Sequence, residues 1–85
     1  MIYFILSSKN MINISKRDRP EKALWELRKH SSDPDEKFDL VGKIEGSTAE
    51  LAEIREIFSD LHSHNDWYRS NENLTCFIKR ICSKK

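Results

Sequence analysis

Five consecutive residues near the start of the chain, Ile2-Tyr3-Phe4-Ile5-Leu6, are all large and apolar or aromatic. Such a run has no polar side to present to water, which predicts a central strand covered on both faces. The requirement is severe for 85 residues, because a chain of this size buries about 60–65% of its unfolded surface. Apolar material must therefore be supplied to two sides of one small sheet.

The rest of the chain supplies it in order. After Ser7-Ser8-Lys9-Asn10, the stretch Met11-Ile12-Asn13-Ile14-Ser15 alternates apolar and polar residues, predicting a hairpin with the first strand. Asp18 offers an N-cap and Pro20 an early helical position, and Ala23, Leu24, Leu27 and His30 recur at helical spacing with Trp25 beside them. A helix of about 11 residues is expected there. Ser31-Ser32-Asp33-Pro34-Asp35-Glu36 reads as a loop, and Phe38-Asp39-Leu40-Val41-Gly42-Lys43-Ile44 as a third strand closed by Gly46. Ser47 with Glu50 three residues on forms a capping box, and Leu51, Ile54, Phe58 and Leu61 mark the apolar stripe of a second helix. A turn at His64-Asn65-Asp66 and the pair Trp67-Tyr68 lead to Ser70 as the cap of a last helix lined by Leu74, Phe77, Ile78 and Ile81. The expectation is a single α+β domain over residues 1–85, with a small, mostly antiparallel three-stranded sheet flanked by helices in the order β-β-α-β-α-α.

Composition narrows the functional classes. A chain that is 38% apolar and 34% charged, with two Gly and two Pro, is globular in character. The longest apolar run is too short to cross a bilayer and no charged region precedes it, so a cytoplasmic protein without membrane contact is expected. Cys76 and Cys82 are six residues apart in predicted helix, turned about 240° from one another, which predicts reduced, partly buried thiols and no mutual disulfide.

Net charge is +1, yet charge is strongly segmented: +4 over residues 9–30, −6 over 31–60 and +3 over 61–85. The basic cluster Lys9, Lys16, Arg17, Arg19 and Lys22 has the chemistry of a nucleic-acid patch, where cations meet phosphate with little sequence preference. Glu53, Glu56 and Asp60 form an acidic helix face suited to a basic protein surface. His62-x-His64-x-Asp66 does not match a zinc spacing, so no metal site is expected. Trp25, Trp67 and Tyr68 are assigned to the core, since so small a domain has few large residues to fill it. No Gly-rich phosphate loop, nucleophile elbow or Cys-His pair is present.

Taken together, the Tyr3-Phe4-Ile5 strand, the strand ending Ile12-Asn13-Ile14-Ser15, the helix opened by Pro20-Glu21-Lys22 and running into Leu24 and Leu27, and the late Phe58 followed by His64-Asn65-Asp66-Trp67-Tyr68-Arg69 resemble the small GIY-YIG nuclease-like domains of phages and bacteria. The similarity spans nearly the whole chain. It implies metal-assisted phosphodiester hydrolysis, with a tyrosine near the attacking water, an arginine on the phosphate and a glutamate holding Mg²⁺ or Mn²⁺. Tyr3 keeps the first-strand tyrosine. Ser15 replaces the glycine that closes the second strand, Ala23 falls in the place of the arginine, and Leu51 falls in the place of the glutamate. The resemblance thus implies a catalytically inactive binding module, a phage-type regulator or inhibitor acting through nucleic acid or a host protein and needing no cofactor. The alternative is a divergent nuclease using Tyr3 and Glu50 with a relocated arginine and Mg²⁺ or Mn²⁺. A purely protein-binding module using Glu53, Glu56 and Asp60 is the third reading. Oligomeric state is left open.

Overall fold

The computed structural model describes residues 1–31 and 35–82. Its elements are β1 (Ile2–Ser7), β2 (Met11–Lys16), α1 (Pro20–His30), β3 (Phe38–Ile44), α2 (Thr48–Ile57), a 3₁₀ turn (Ser59–Leu61), β4 (His62–His64), β5 (Trp67–Arg69) and α3 (Glu72–Cys82). The α+β class stands, but the sheet has five strands rather than three, in the spatial order β3-β1-β2-β5-β4. Every pairing is antiparallel. The predicted loop at Ser32, Asp33 and Pro34 lies outside the described residues.

β1 is an interior strand, hydrogen-bonded to β3 on one side and β2 on the other. Its alternate side chains serve two cores, as a strand without a polar face must. Ile2 and Phe4 join Ile12 and Ile14 of β2 under α2 and α3, where Leu51, Ile54, Phe58, Leu74 and Ile78 close the larger core. Tyr3 and Ile5 point the other way, against Ala23, Leu24 and Leu27 of α1 and Phe38 of β3. The molecule is thus three layers, with one helix on one face of the sheet and two on the other.

β3 serves both cores by means of a β-bulge. Leu40 pairs with Ile5 and Gly42 with Phe4, leaving Val41 as the extra residue. A strand alternates strictly, so one extra residue moves everything after it to the opposite face. Phe38 and Leu40 accordingly pack with the α1 core, and Ile44 with the α2/α3 core.

Gly42 lies where α3 crosses β3. A Cβ there sits 3.0 Å from Ile78 Cγ2 and well inside contact distance of Cys82 Sγ. Gly42→Ala is therefore expected to cost about 1–3 kcal/mol through overpacking. Adding Cys82→Ala should recover part of that loss in a denaturant-unfolding cycle, because it removes the nearer of the two obstructing atoms. Strictly additive losses would show that α3 does not bear on Gly42.

Two predicted caps shift by one residue. Pro20 opens α1 directly, so the cap position falls on Arg19, which makes no side-chain capping bond, and Asp18 stands one residue too early. α3 begins at Glu72, and its cap is Asn71, whose Oδ1 accepts from Leu74 N at 2.8 Å. Ser70 instead donates its backbone N–H to Asn10 O at 2.8 Å, tying the end of β5 to the β1–β2 turn. The capping box of α2 forms as expected, with Glu50 N donating to Ser47 Oγ at 3.2 Å and Ser47 N to Glu50 Oε1 at 3.4 Å. No helix among the described residues is long and apolar enough to cross a membrane.

The aromatic assignments divide. Tyr68 is buried in the larger core. Trp67 is half-buried, its ring 6.1 Å from that of Phe38. Trp25, expected in the core, is 57% exposed. It lies two residues from Leu27, so at 100° per residue it points about 160° away from the face that Leu27 turns to the sheet.

Candidate nucleic-acid interface

The chain reverses between β2 and α1 through Arg17, Asp18 and Arg19. Arg17 N bonds Met1 O at 2.8 Å, and Lys22 N bonds Arg19 O at 3.1 Å, so the reversal is fixed at both ends. Arg17, Asp18, Arg19 and Lys22 line one shallow concavity of about 530 Å³. Lys16 ends β2 beside it and is exposed. Of these cations Arg17 is already engaged: its guanidinium donates to Glu26, and that hydrogen bond and charge raise its pKa further above the ordinary value. Among the described residues no carboxylate pairs with Lys16, Arg19 or Lys22.

Lys9 does not belong to this group. It sits in the turn at the far end of the β1–β2 hairpin, six residues of extended chain away, or roughly 20 Å. There its ammonium lies 3.7 Å from Glu36.

The outer face of α1 extends the basic mouth. Lys22, Trp25 and Lys29 fall within about 60° of one another around the helix, and Lys29 Nζ stands 4.8 Å from the centre of the Trp25 ring. An exposed indole between two lysines is the arrangement that stacks a base while its phosphates are neutralised. Helical phase carries the signal in the sequence, since Trp25 lies opposite Leu27.

The inner face of α1 borders a cleft. Tyr3, Asn13, Arg17, Ala23, Glu26, Leu27, His30 and Asp66 enclose about 320 Å³. A second hollow of about 340 Å³ continues it past Leu27 and His30 toward Phe38, His64 and Trp67. The cleft exists because α1 packs over β3 and β1, while β2 and β5 lie farther across the same sheet face. Asn13 is 7% exposed, and its Oδ1 has no hydrogen-bond partner. An unsatisfied buried polar group of this kind costs about 1–3 kcal/mol. Nothing in the alternation of β2 announced that orphan atom.

The positions tied to nuclease chemistry are dispersed. Tyr3 and Ala23 are buried together in the α1 core, while Leu51 is buried in the core on the other side of the sheet. Glu50 is committed to the capping box at the start of α2, on the opposite face of the sheet from Tyr3. His62 Nε2 contacts Asn65 O at 2.8 Å, and His64 Nδ1 contacts Ser63 Oγ at 3.0 Å. Among the described residues no group of three or more His, Cys, Asp or Glu is placed to hold a metal ion.

Glu53, Glu56 and Asp60 are all exposed on the outer side of α2 and its exit. Ile57, 61% exposed, sits among them. Cys76 is exposed and Cys82 is half-buried, with burial pushing the Cys82 thiol pKa up. Comparison of the chain with protein-family models, curated proteins and solved structures finds no match.

Proposed function

We propose that this domain is a non-catalytic nucleic-acid-binding module on a GIY-YIG-like scaffold, acting by occupancy rather than by cutting. Single-stranded nucleic acid meets the N-terminal end of α1, where Lys16, Arg19 and Lys22 take phosphates and Trp25 stacks on a base. The observation that carries this reading is the exposure of Trp25 between Lys22 and Lys29, contiguous with the basic mouth. Trp25 is 57% exposed, and stacking on a base is what an indole offers in that charge setting.

The places of the family's arginine and glutamate hold Ala23 and Leu51, both used in packing. The alternative nuclease, built on Tyr3 and Glu50 with Mg²⁺ or Mn²⁺, needs two side chains that serve opposite faces of the sheet. The exposed Ile57 amid Glu53, Glu56 and Asp60 favours a second, separate use of α2 as a contact for a basic protein surface.

The test is one titration with two readouts. Labelled single- and double-stranded DNA and RNA are incubated with the protein with and without Mn²⁺, while tryptophan emission is followed in a Trp67→Phe background that leaves Trp25 as the reporter. Binding of single strands that quenches Trp25, weakens with salt and leaves the strand intact is expected. Mn²⁺-dependent cleavage lost in Tyr3→Phe would overturn the non-catalytic reading, and binding without Trp25 quenching would remove the stacking role.

A further inference from the structure

Three large apolar side chains stand exposed among the described residues, Trp25, Val41 and Ile57, and two of them sit amid charges of opposite sign. Trp25 shares the outer face of α1 with the exposed Lys22 and Lys29. Ile57, 61% exposed, ends α2, where Glu53, Glu56 and Ile57 fall within about 100° around the helix and Asp60 follows in the 3₁₀ turn. Among the described residues no carboxylate pairs with Lys22 or Lys29, and no cation pairs with the side chain of Glu53, Glu56 or Asp60.

We infer that these two faces dock on one another between copies of this chain, the basic Trp25 face of α1 on one copy against the acidic Ile57 face of α2 on the next. Each supplies what the other lacks: a large apolar side chain to cover its counterpart, and beside it charges of the opposite sign. The segment charges run the same way, +4 over residues 9–30 against −6 over 31–60. The inference rests on the reading of α2 as a contact for a basic protein surface, and it names that surface as α1 of a second copy.

Topology fixes the kind of assembly. α1 packs on one face of the sheet and α2 on the other, so the two docking faces look out from opposite sides of one molecule. A two-fold pair cannot make both contacts at once, and the association is therefore heterologous, head to tail and free to repeat. A contact between two short helices is small beside a standard interface, so it is weak, and the chain stays monomeric at the sub-micromolar concentrations of a strand titration. Trp25 cannot cover Ile57 and stack on a base together, so a strand and a second copy exclude one another.

Analytical ultracentrifugation of the full chain from about 10 µM to about 1 mM, the range in which a contact of that size forms, is the test. The mean mass is expected to rise with concentration and to fall back toward the monomer in about 0.5 M salt, which screens the charges. Trp25→Ser and Ile57→Ser each remove an exposed side chain from one face and leave both cores intact, and each variant alone should remain monomeric. Mixed in equal amounts they should form a 1:1 dimer that grows no further, because the mixture holds one intact α1 face and one intact α2 face that belong to different molecules. A monomer at every concentration, undiminished growth in either variant, or a mixture that stays monomeric would each overturn the contact. An oligolysine peptide reports separately on α2. If it moves the Glu53 and Glu56 backbone amide resonances in a chain that never self-associates, the second-copy inference fails and α2 keeps its role as a contact for another basic surface; no shift and no self-association sink both.

Discussion

Phe4→Ala is expected to lower stability by about 3–5 kcal/mol, and to bring the thermal midpoint down by roughly 15–30 °C. Phe4 is 0% exposed, pairs with Ile14 on one side and Gly42 on the other, and lies under both α2 and α3. Collapse around the lost ring is restricted, because β1 is hydrogen-bonded to β2 on one side and to β3 on the other. A chain of this length has a total of roughly 4–13 kcal/mol to lose, so the substitution removes a large share of it. Trp25→Ala is the matched control: a larger side chain is removed from the surface, and the change should stay within about 0.5 kcal/mol. Thermal unfolding followed by circular dichroism reads both. Equal losses at the two positions would contradict the burial of Phe4 beneath α2 and α3.

The contrast between Phe4 and Trp25 shows where sequence reading succeeds. β1 was legible because five apolar residues in a row leave one physical solution, and β2, β3, α1, α2 and α3 because period or capping chemistry marks each. β4 and β5 were not legible as strands. His62-Ser63-His64 is polar throughout and exposed, and β5 has three residues. β5 is ordered by pairing with a distant strand, Ile12 opposite Tyr68 and Asn13 opposite Trp67, and the edge strand β4 by folding back on β5 through Asn65 at φ 49°. Such long-range pairing leaves no local period in the sequence.

Trp25 was assigned by size, whereas helical phase, set by Leu24 and Leu27, decides its side. The basic cluster was readable as charge but not as geometry: the β1–β2 hairpin places Lys9 in its turn and Lys16 at its open end. Glu50 and Tyr3 illustrate the same limit. Each is a reasonable functional residue alone, and the topology assigns one to a helix cap and the other to the core beneath α1. The Asn13 orphan depends on what fails to approach Oδ1, which no motif encodes.

Reversing the three cations of the basic mouth that lack a carboxylate partner among the described residues, in Lys16→Glu, Arg19→Glu and Lys22→Glu together, is expected to weaken single-strand binding by at least about 100-fold near 0.1 M salt. Each phosphate contact with a single strand contributes about 0.7 to the slope of log affinity against log salt, so losing three should flatten that slope by about 2. Arg17 is left in place, since its pairing with Glu26 makes its removal a structural change as well as an electrostatic one. Two controls locate the effect. Lys9→Glu, at the far end of the hairpin and already beside Glu36, should change binding by less than about threefold. Glu53→Lys with Glu56→Lys alters charge on the other side of the sheet and should leave the salt slope unchanged, while any modest gain in affinity reflects net charge alone. A flattened slope with Trp25 quenching still present assigns phosphate contact to the mouth and stacking to α1. If the triple reversal leaves both affinity and slope intact, the mouth is an ordinary solvated turn and nucleic acid binds elsewhere or not at all.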